Sequence, residues 1–140
     1  MATLDRTAAS LRISGDDLDP GEITRLLGHE PTGAELKGQE IVGKSTGKIR
    51  VAKTGMWRLG ATKRAPGNLD AQIDEILSKL SSDMAVWKRI SERFHVDLFC
   101  GLFLAGGNEG LTISPKSLAD LGNRGIELGL DIYGGDASDT

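Results

Sequence analysis

Val96-Asp97-Leu98-Phe99-Cys100-Gly101-Leu102-Phe103-Leu104 is almost wholly apolar, which marks a central strand of a sheet, covered on both faces. The sequence on either side decides what covers it. Upstream, Leu69, Ile73, Ile76, Leu77 and Leu80 recur at three-and-four spacing along one helical face, and the stripe continues through Met84, Trp87, Ile90 and Phe94. Ser81-Ser82-Asp83 interrupts it with capping residues, so two consecutive helices are expected rather than one rod. Downstream, Ala105 to Gly110 reads as the turn of a hairpin and Leu111 to Ile113 as its returning strand. Ser114-Pro115 then starts a short helix that buries Leu118 and Leu121 and closes at Gly122. Ile126, Leu128, Leu130 and Ile132 alternate as a last strand, and the polar residues 134–140 read as a disordered tail after a single domain of residues 1–133.

The N-terminal half has the same grammar. Ala9, Leu11 and Ile13 alternate with Ser10, Arg12 and Ser14, as a half-buried strand requires. Asp19 is placed to cap a helix with Pro20 at its first position, Glu22 three residues beyond the cap and Gly28 at its end; Ile23, Leu26 and Leu27 form its buried side. Trp57, Leu59 and Ala61 mark another strand over residues 56–61. Between His29 and Gly55 the chain is rich in glycine and lysine, and reads as loop with one short strand at 48–51. Leu11 to Gly28 and Leu111 to Gly122 share the order strand, proline-started helix, glycine stop, which suggests a duplicated strand-helix-strand unit. The expected fold class is α+β: a mostly antiparallel sheet with helices packed on one face, like a ferredoxin-type sandwich.

A chain of 140 residues, 39% of them hydrophobic, is long enough to bury a sizeable core without staples. With 17 basic against 20 acidic residues its formal charge is −3, so no basic field is present to recruit nucleic acid or an anionic membrane. No run of about 18 apolar residues spans a bilayer, and Asp5 and Arg6 fall where a signal peptide needs an unbroken apolar stretch. The one cysteine, Cys100, has no intramolecular partner and reads as a reduced core thiol, so a cytoplasmic setting is expected.

Few residues point to chemistry. Gly38-Gln39-Glu40-Ile41-Val42-Gly43-Lys44-Ser45 matches the letters of a phosphate-binding loop, but the loop should leave a buried strand and enter a helix. Here polar residues precede it and an alternating stretch follows. Asp16, Asp17, Asp19 and Glu22 form a dense acidic cluster; capping accounts for Asp19 and Glu22, leaving Asp16 and Asp17 as candidate ligand contacts. Trp57 and Trp87 both lie on apolar stripes, and Trp57, with polar neighbours Lys53 and Arg58, is the candidate to line a pocket. His29 and His95 lack metal-ligand spacing, and His95 falls on the opposite face from Cys100 and about 17 Å along the same strand. No catalytic constellation, metal site or cofactor is expected.

Arg12-Ile13-Ser14-Gly15-Asp16-Asp17-Leu18-Asp19-Pro20, Ile23-Thr24-Arg25-Leu26-Leu27-Gly28, Glu30-Pro31-Thr32, Trp57, Val96 to Cys100 and Asp131-Ile132-Tyr133 occur in an order that resembles a bacterial family catalogued as domain of unknown function 4279. The resemblance runs from about Ala9 to Tyr133 and leaves Gly33 to Thr54 uncovered. It implies a compact bacterial domain without an assigned catalytic residue.

Two functions are expected to compete. The first is a non-enzymatic interaction module, pairing with itself or masking another protein as an immunity protein does, because helices can cover only one face of a single sheet. The second is a small-ligand binder or enzyme in which Asp16, Asp17 and Trp57 meet near the glycine-rich loop at 29–55.

Overall fold

The computed structural model describes residues 2–135. In chain order the elements are β1 (Ala2–Thr3), β2 (Arg6–Gly15), α1 (Pro20–Leu27), β3 (Gly33–Glu35), β4 (Glu40–Val42), β5 (Ile49–Val51), β6 (Gly55–Gly60), α2 (Leu69–Leu77), α3 (Met84–Arg93), β7 (His95–Phe103), β8 (Glu109–Gly110), α4 (Pro115–Asn123) and β9 (Glu127–Tyr133).

Each helix starts where a short polar side chain can take up an orphan amide. The Asp19 carboxylate accepts from the Gly21 amide at 3.0 Å, Asn68 from Ala71 at 3.0 Å, Asp83 from Ala85 at 2.9 Å and Ser114 from Ser117 at 3.1 Å. Such caps contribute about 1 kcal/mol each. Gly28 ends α1 in the left-handed region, at φ 79°, and its amide donates to the Thr24 carbonyl at 2.8 Å. The two-helix reading of 69–94 is correct, with Asp83 as the second cap.

The main sheet has the order β3-β6-β2-β7-β9. Its middle strand is therefore β2, not the Val96 to Leu104 stretch, which forms β7 beside it. Along β2 the side chains of Thr7, Ala9, Leu11 and Ile13 are buried, and the alternate ones are partly exposed. On β7 the same helix-side row is Val96, Leu98, Cys100 and Leu102. These rows join Trp57 and Leu59 of β6 and the inner faces of the helices in one contiguous apolar cluster. The opposite face of β7 is only partly covered: Arg12 lies against Asp97 and the Phe103 ring against Gly101, but Phe99 stays 36% exposed.

The sheet is mostly antiparallel, as expected, but it is mixed. β2 runs antiparallel to both β6 and β7, whereas β7 and β9 are parallel. The β2–α1 and β7–α4 units thus end in partners of opposite sense, which departs from the ferredoxin-type arrangement. Nor does the proposed repeat have two copies, because Leu111 to Ile113 forms no strand. The place beside β7 is taken by β9, and the Ser114 amide is held instead by the Asp70 carboxylate of α2 at 3.0 Å. No hairpin follows β7. The Glu109 carboxylate accepts from the amides of Ala105 and Gly106, each at 2.9 Å, and β8 pairs in parallel with β1.

Two further details of α4 differ from expectation. Leu121 is buried but Leu118 is 50% exposed. The helix runs past Gly122, and Gly125, at φ 71°, is the left-handed residue that follows its end. The expected tail lies largely outside the described residues.

One polar group is fully enclosed. Gln72 of α2 donates to the carbonyls of Thr7 at 2.9 Å and Thr62 at 3.0 Å, and accepts from the Thr7 hydroxyl at 2.7 Å. That hydroxyl in turn accepts from the Asn68 amide at 2.9 Å. The node pins the start of α2 to the middle strand and to the segment leaving β6.

Candidate functional site

The acidic turn and the tryptophan proposed for a ligand have different surroundings. Asp16 and Asp17 are exposed on the turn between β2 and α1. Lys37 lies 3.0 Å from the Asp16 carboxylate and, with Thr54, holds it below the usual carboxylate range. The Trp57 ring is fully buried on the helix side of β6, and its indole N–H donates to the Thr24 hydroxyl of α1 at 3.1 Å. Asp19 caps α1, and Glu22, rather than closing a capping box, pairs with Arg93 at 3.0 Å.

The loop at 29–55 is more ordered than its composition suggests. It contains β3, which extends the main sheet, and the antiparallel pair β4–β5. The residues with phosphate-loop letters form β4, the two residues before it and the turn after it, and several amides of this segment bond within it. Gly43 donates to Lys48 at 2.8 Å, Gly47 to Gly43 at 2.9 Å and Gly38 to Ala52 at 2.9 Å. A strand and a hairpin turn that lead into a second strand lack the helix N-terminus that a phosphate-binding loop relies on. At the base of this hairpin, Arg50 and Arg58 reach one oxygen of Glu35 at 3.1 and 3.0 Å. Burial acts to raise the Glu35 carboxyl, but the two guanidinium groups outweigh it and hold it below its ordinary range.

Cys100 points into the core while His95 faces the other side of β7, as the strand period requires. Burial pushes the thiol from its ordinary value of 9.0 up to about 12. It is therefore a protonated packing group near neutrality and not a nucleophile. The linkage has a definite sign: the unfolded thiol ionises first, so this contribution to stability is complete below about pH 9 and is lost as pH rises toward 12. Unfolding midpoints measured from pH 8 upward should fall more steeply for the native chain than for Cys100→Ala. Equal slopes would show that the thiol ionises as freely in the folded state. Among the described residues no group of His, Cys, Asp or Glu is arranged to hold a metal ion.

The most distinctive surface feature lies on the face of the sheet that the helices leave open. It follows from register. Ala8 of β2 stands opposite Gly101 of β7, so two small residues meet; the next pair along is Ser10 and Phe99, and Phe103 stands opposite Tyr133 of β9. A shallow floor of Ala8, Ser10 and Gly101 is thereby walled by Phe99, Phe103 and Tyr133, with Ala61 and Lys63 on the β6 side. The hollow measures about 270 Å³.

Its walls are held in place. The rings of Phe103 and Tyr133 stack with centroids 4.7 Å apart and planes 4° from parallel. The Arg6 guanidinium lies 4.4 Å from the Phe103 centroid and that of Arg12 4.4 Å from Phe99. Arg12 is itself fixed by a two-point pair with Asp97, at 2.9 and 2.7 Å. A larger recess of about 370 Å³ lies beside Asp70, but that carboxylate already accepts from the Ser117 hydroxyl at 2.6 Å and the Ser114 amide at 3.0 Å.

The residues of the hollow were not among those singled out in the sequence. Their signal is present as Ala8 and Ser10 on one face of β2 and as Phe99 and Phe103 on the same face of β7. It becomes visible only once Ala8 is known to face Gly101.

No helix among the described residues is long and apolar enough to cross a membrane. Neither a curated protein nor a solved structure matches the chain. A family does match, over residues 5–135 and so over the whole five-stranded sheet and the four helices of the described residues: the chain belongs to the family described as Domain of unknown function (DUF4279).

Proposed function

We propose that the domain is a non-enzymatic interaction module that takes a segment of another protein on the open face of its sheet. An apolar side chain of that segment would sit in the hollow between Phe99, Phe103 and Tyr133, with an acidic group beside it. The hollow carries the reading. Ligand pockets usually enclose about 300–1,000 Å³ and bury most of their ligand. A recess of about 270 Å³ on an open face instead suits one or two side chains.

Aromatic walls around a floor of small residues supply contact area at low conformational cost, the composition expected of an interface centre. Beside it Asp131 already accepts from the Tyr133 hydroxyl at 2.7 Å, whereas Arg6 and Lys63 bring basic charge. Arg6 and Lys63 form no ion pair among the described residues, so they are available to a partner's carboxylate. A reducing, cytoplasmic setting suits such a module, because Cys100 is a buried thiol without a disulfide partner.

Ser10→Arg fills the hollow from its floor without touching the core. Immobilised wild-type protein should retain a partner from its native lysate, and the Ser10→Arg protein should retain at least about tenfold less of it, the loss expected when a contact of about 1.4 kcal/mol is removed. Lys44→Ala, in the hairpin turn, should retain as much as wild type. No retained protein, or equal retention by the Ser10→Arg protein, refutes this use of the open face.

A further inference from the structure

The sheet ends in a strand whose outer edge has no partner among the described residues. β9 pairs with β7 residue for residue, from Glu127 opposite Asp97 to Tyr133 opposite Phe103, so it is regular and carries no bulge. Edge strands are usually protected by lysine, proline, a bulge or brevity. Glu127-Leu128-Gly129-Leu130-Asp131-Ile132-Tyr133 has none of the first three and is seven residues long. The opposite edge, β3, has only three.

The direction of the backbone is fixed by one hydrogen bond. Tyr133 accepts from the Leu104 amide at 3.0 Å, so its peptide groups turn toward β7. By the strand period those of Asp131, Gly129 and Glu127 do the same, while the N–H and C=O groups of Leu128, Leu130 and Ile132 face the free edge. The side chains of these three residues lie on the helix side of the sheet, yet Leu130 is 47% and Ile132 63% exposed. Leu118, on the helix that packs against β9, is 50% exposed.

We infer that the occupant of this edge is a second copy of the chain, paired antiparallel through β9 about a two-fold axis at Leu130. The strand is complementary to itself in that register and in no other of comparable length. Leu130 then faces the partner's Leu130, and Leu128 faces the partner's Ile132. These are the residues whose backbone groups point outward, so each pair exchanges both hydrogen bonds. On the open face Glu127 meets the partner's Tyr133 and Asp131 meets the partner's Gly129. No carboxylate opposes another. Centring the axis on Leu128 or Ile132 pairs only three residues of the strand, and centring it on Gly129 or Asp131 pairs only five and sets Glu127 against the partner's Asp131 or Asp131 against the partner's Asp131.

The contact is isologous and closes as a dimer, joining two five-stranded sheets into one. It also sets two hollows on a single continuous face, although the inference rests on the edge and not on the hollow. One strand pair and a few aliphatic side chains make a small interface, so association in the micromolar range is expected, about −8 kcal/mol.

Sedimentation over about 1 μM to 1 mM, a range chosen to bracket such a dissociation constant, tests it. Wild type should pass from monomer to dimer. Leu130→Pro removes an N–H that faces outward and spares the β7 ladder, so it should remain monomeric with an unchanged fold. Ile132→Lys, which adds a guarding charge to the edge, should do the same and decides the matter if the proline variant fails to fold. Ser10→Arg should dimerise like wild type, which separates this inference from the open-face reading. In hydrogen exchange, the Leu130 amide should gain protection as concentration rises, whereas the Asp131 amide should be protected throughout. A wild type that stays monomeric to 1 mM, or dimerisation undiminished in a folded edge variant, overturns the inference.

Discussion

Replacing Gln72 by leucine is expected to lower the free energy of unfolding by about 2–4 kcal/mol, with little change in the size of the side chain. The glutamine is completely enclosed and satisfies three groups at once. Leucine removes both donors and the acceptor. The Thr7 carbonyl keeps a partner, since it also accepts from the Arg64 amide at 3.1 Å. The Thr62 carbonyl and the Thr7 hydroxyl proton lose theirs, and an unmade buried hydrogen bond costs about 1–3 kcal/mol. Because the node joins α2 to the middle strand, the loss should appear in the cooperative transition and not as local fraying. Urea unfolding of the two proteins measures it; a difference below about 1 kcal/mol would show that water reaches the site and replaces the amide.

Trp57→Ala should cost about 3–5 kcal/mol, the range for removing a large aromatic ring from a packed core. The ring is fully buried on β6, between strands β2 and β3, and packs in the same cluster as Ile23 and Leu27 of α1. Trp57→Phe retains most of the volume and should cost about 1–2 kcal/mol, much of it from the Thr24 hydroxyl losing its donor. These values also decide between packing and ligand contact. A ring that lined an open pocket would tolerate alanine with little loss of stability and would be quenched readily by acrylamide. In a Trp87→Phe background the remaining Trp57 emission should be blue-shifted and poorly quenched.

The parts of this fold that could be read from sequence are those whose signals are local. Asp19, Pro20 and Gly28 specify a helix and both its ends within ten residues, and all three play the expected roles. Alternation at Ala9, Leu11 and Ile13, and again at Trp57 and Leu59, reflects a sheet with one face in the core. β3 and β4 were hidden because each has three residues and sits among glycines and lysines, too short for a period to register. Leu111 to Ile113 has the apolar content of a strand but loses its place to β9, a competition settled only by the tertiary fold.

The candidate site shows the same division. Trp57 was noticed because tryptophan is large and its neighbours are polar; its own position on an alternating strand already pointed inward. The hollow depends on Ala8 facing Gly101 and Phe103 facing Tyr133, contacts between residues far apart in the chain. Composition cannot reveal a register. The alternation of Leu130 and Ile132 marks a strand with one apolar row, but β9 is an edge strand and that row extends beyond the cover that α4 provides.

We propose that another protein covers the open face of the sheet when the domain works. Hydroxyl-radical footprinting of Phe99, Phe103 and Tyr133, comparing the purified protein with the same protein in its native lysate at equal radical dose, tests it most directly. Protection of these three rings in lysate, with the exposed Tyr-free hairpin residues Val42 and Ile49 unchanged, is the predicted result. Equal modification of the rings in both settings would contradict the claim.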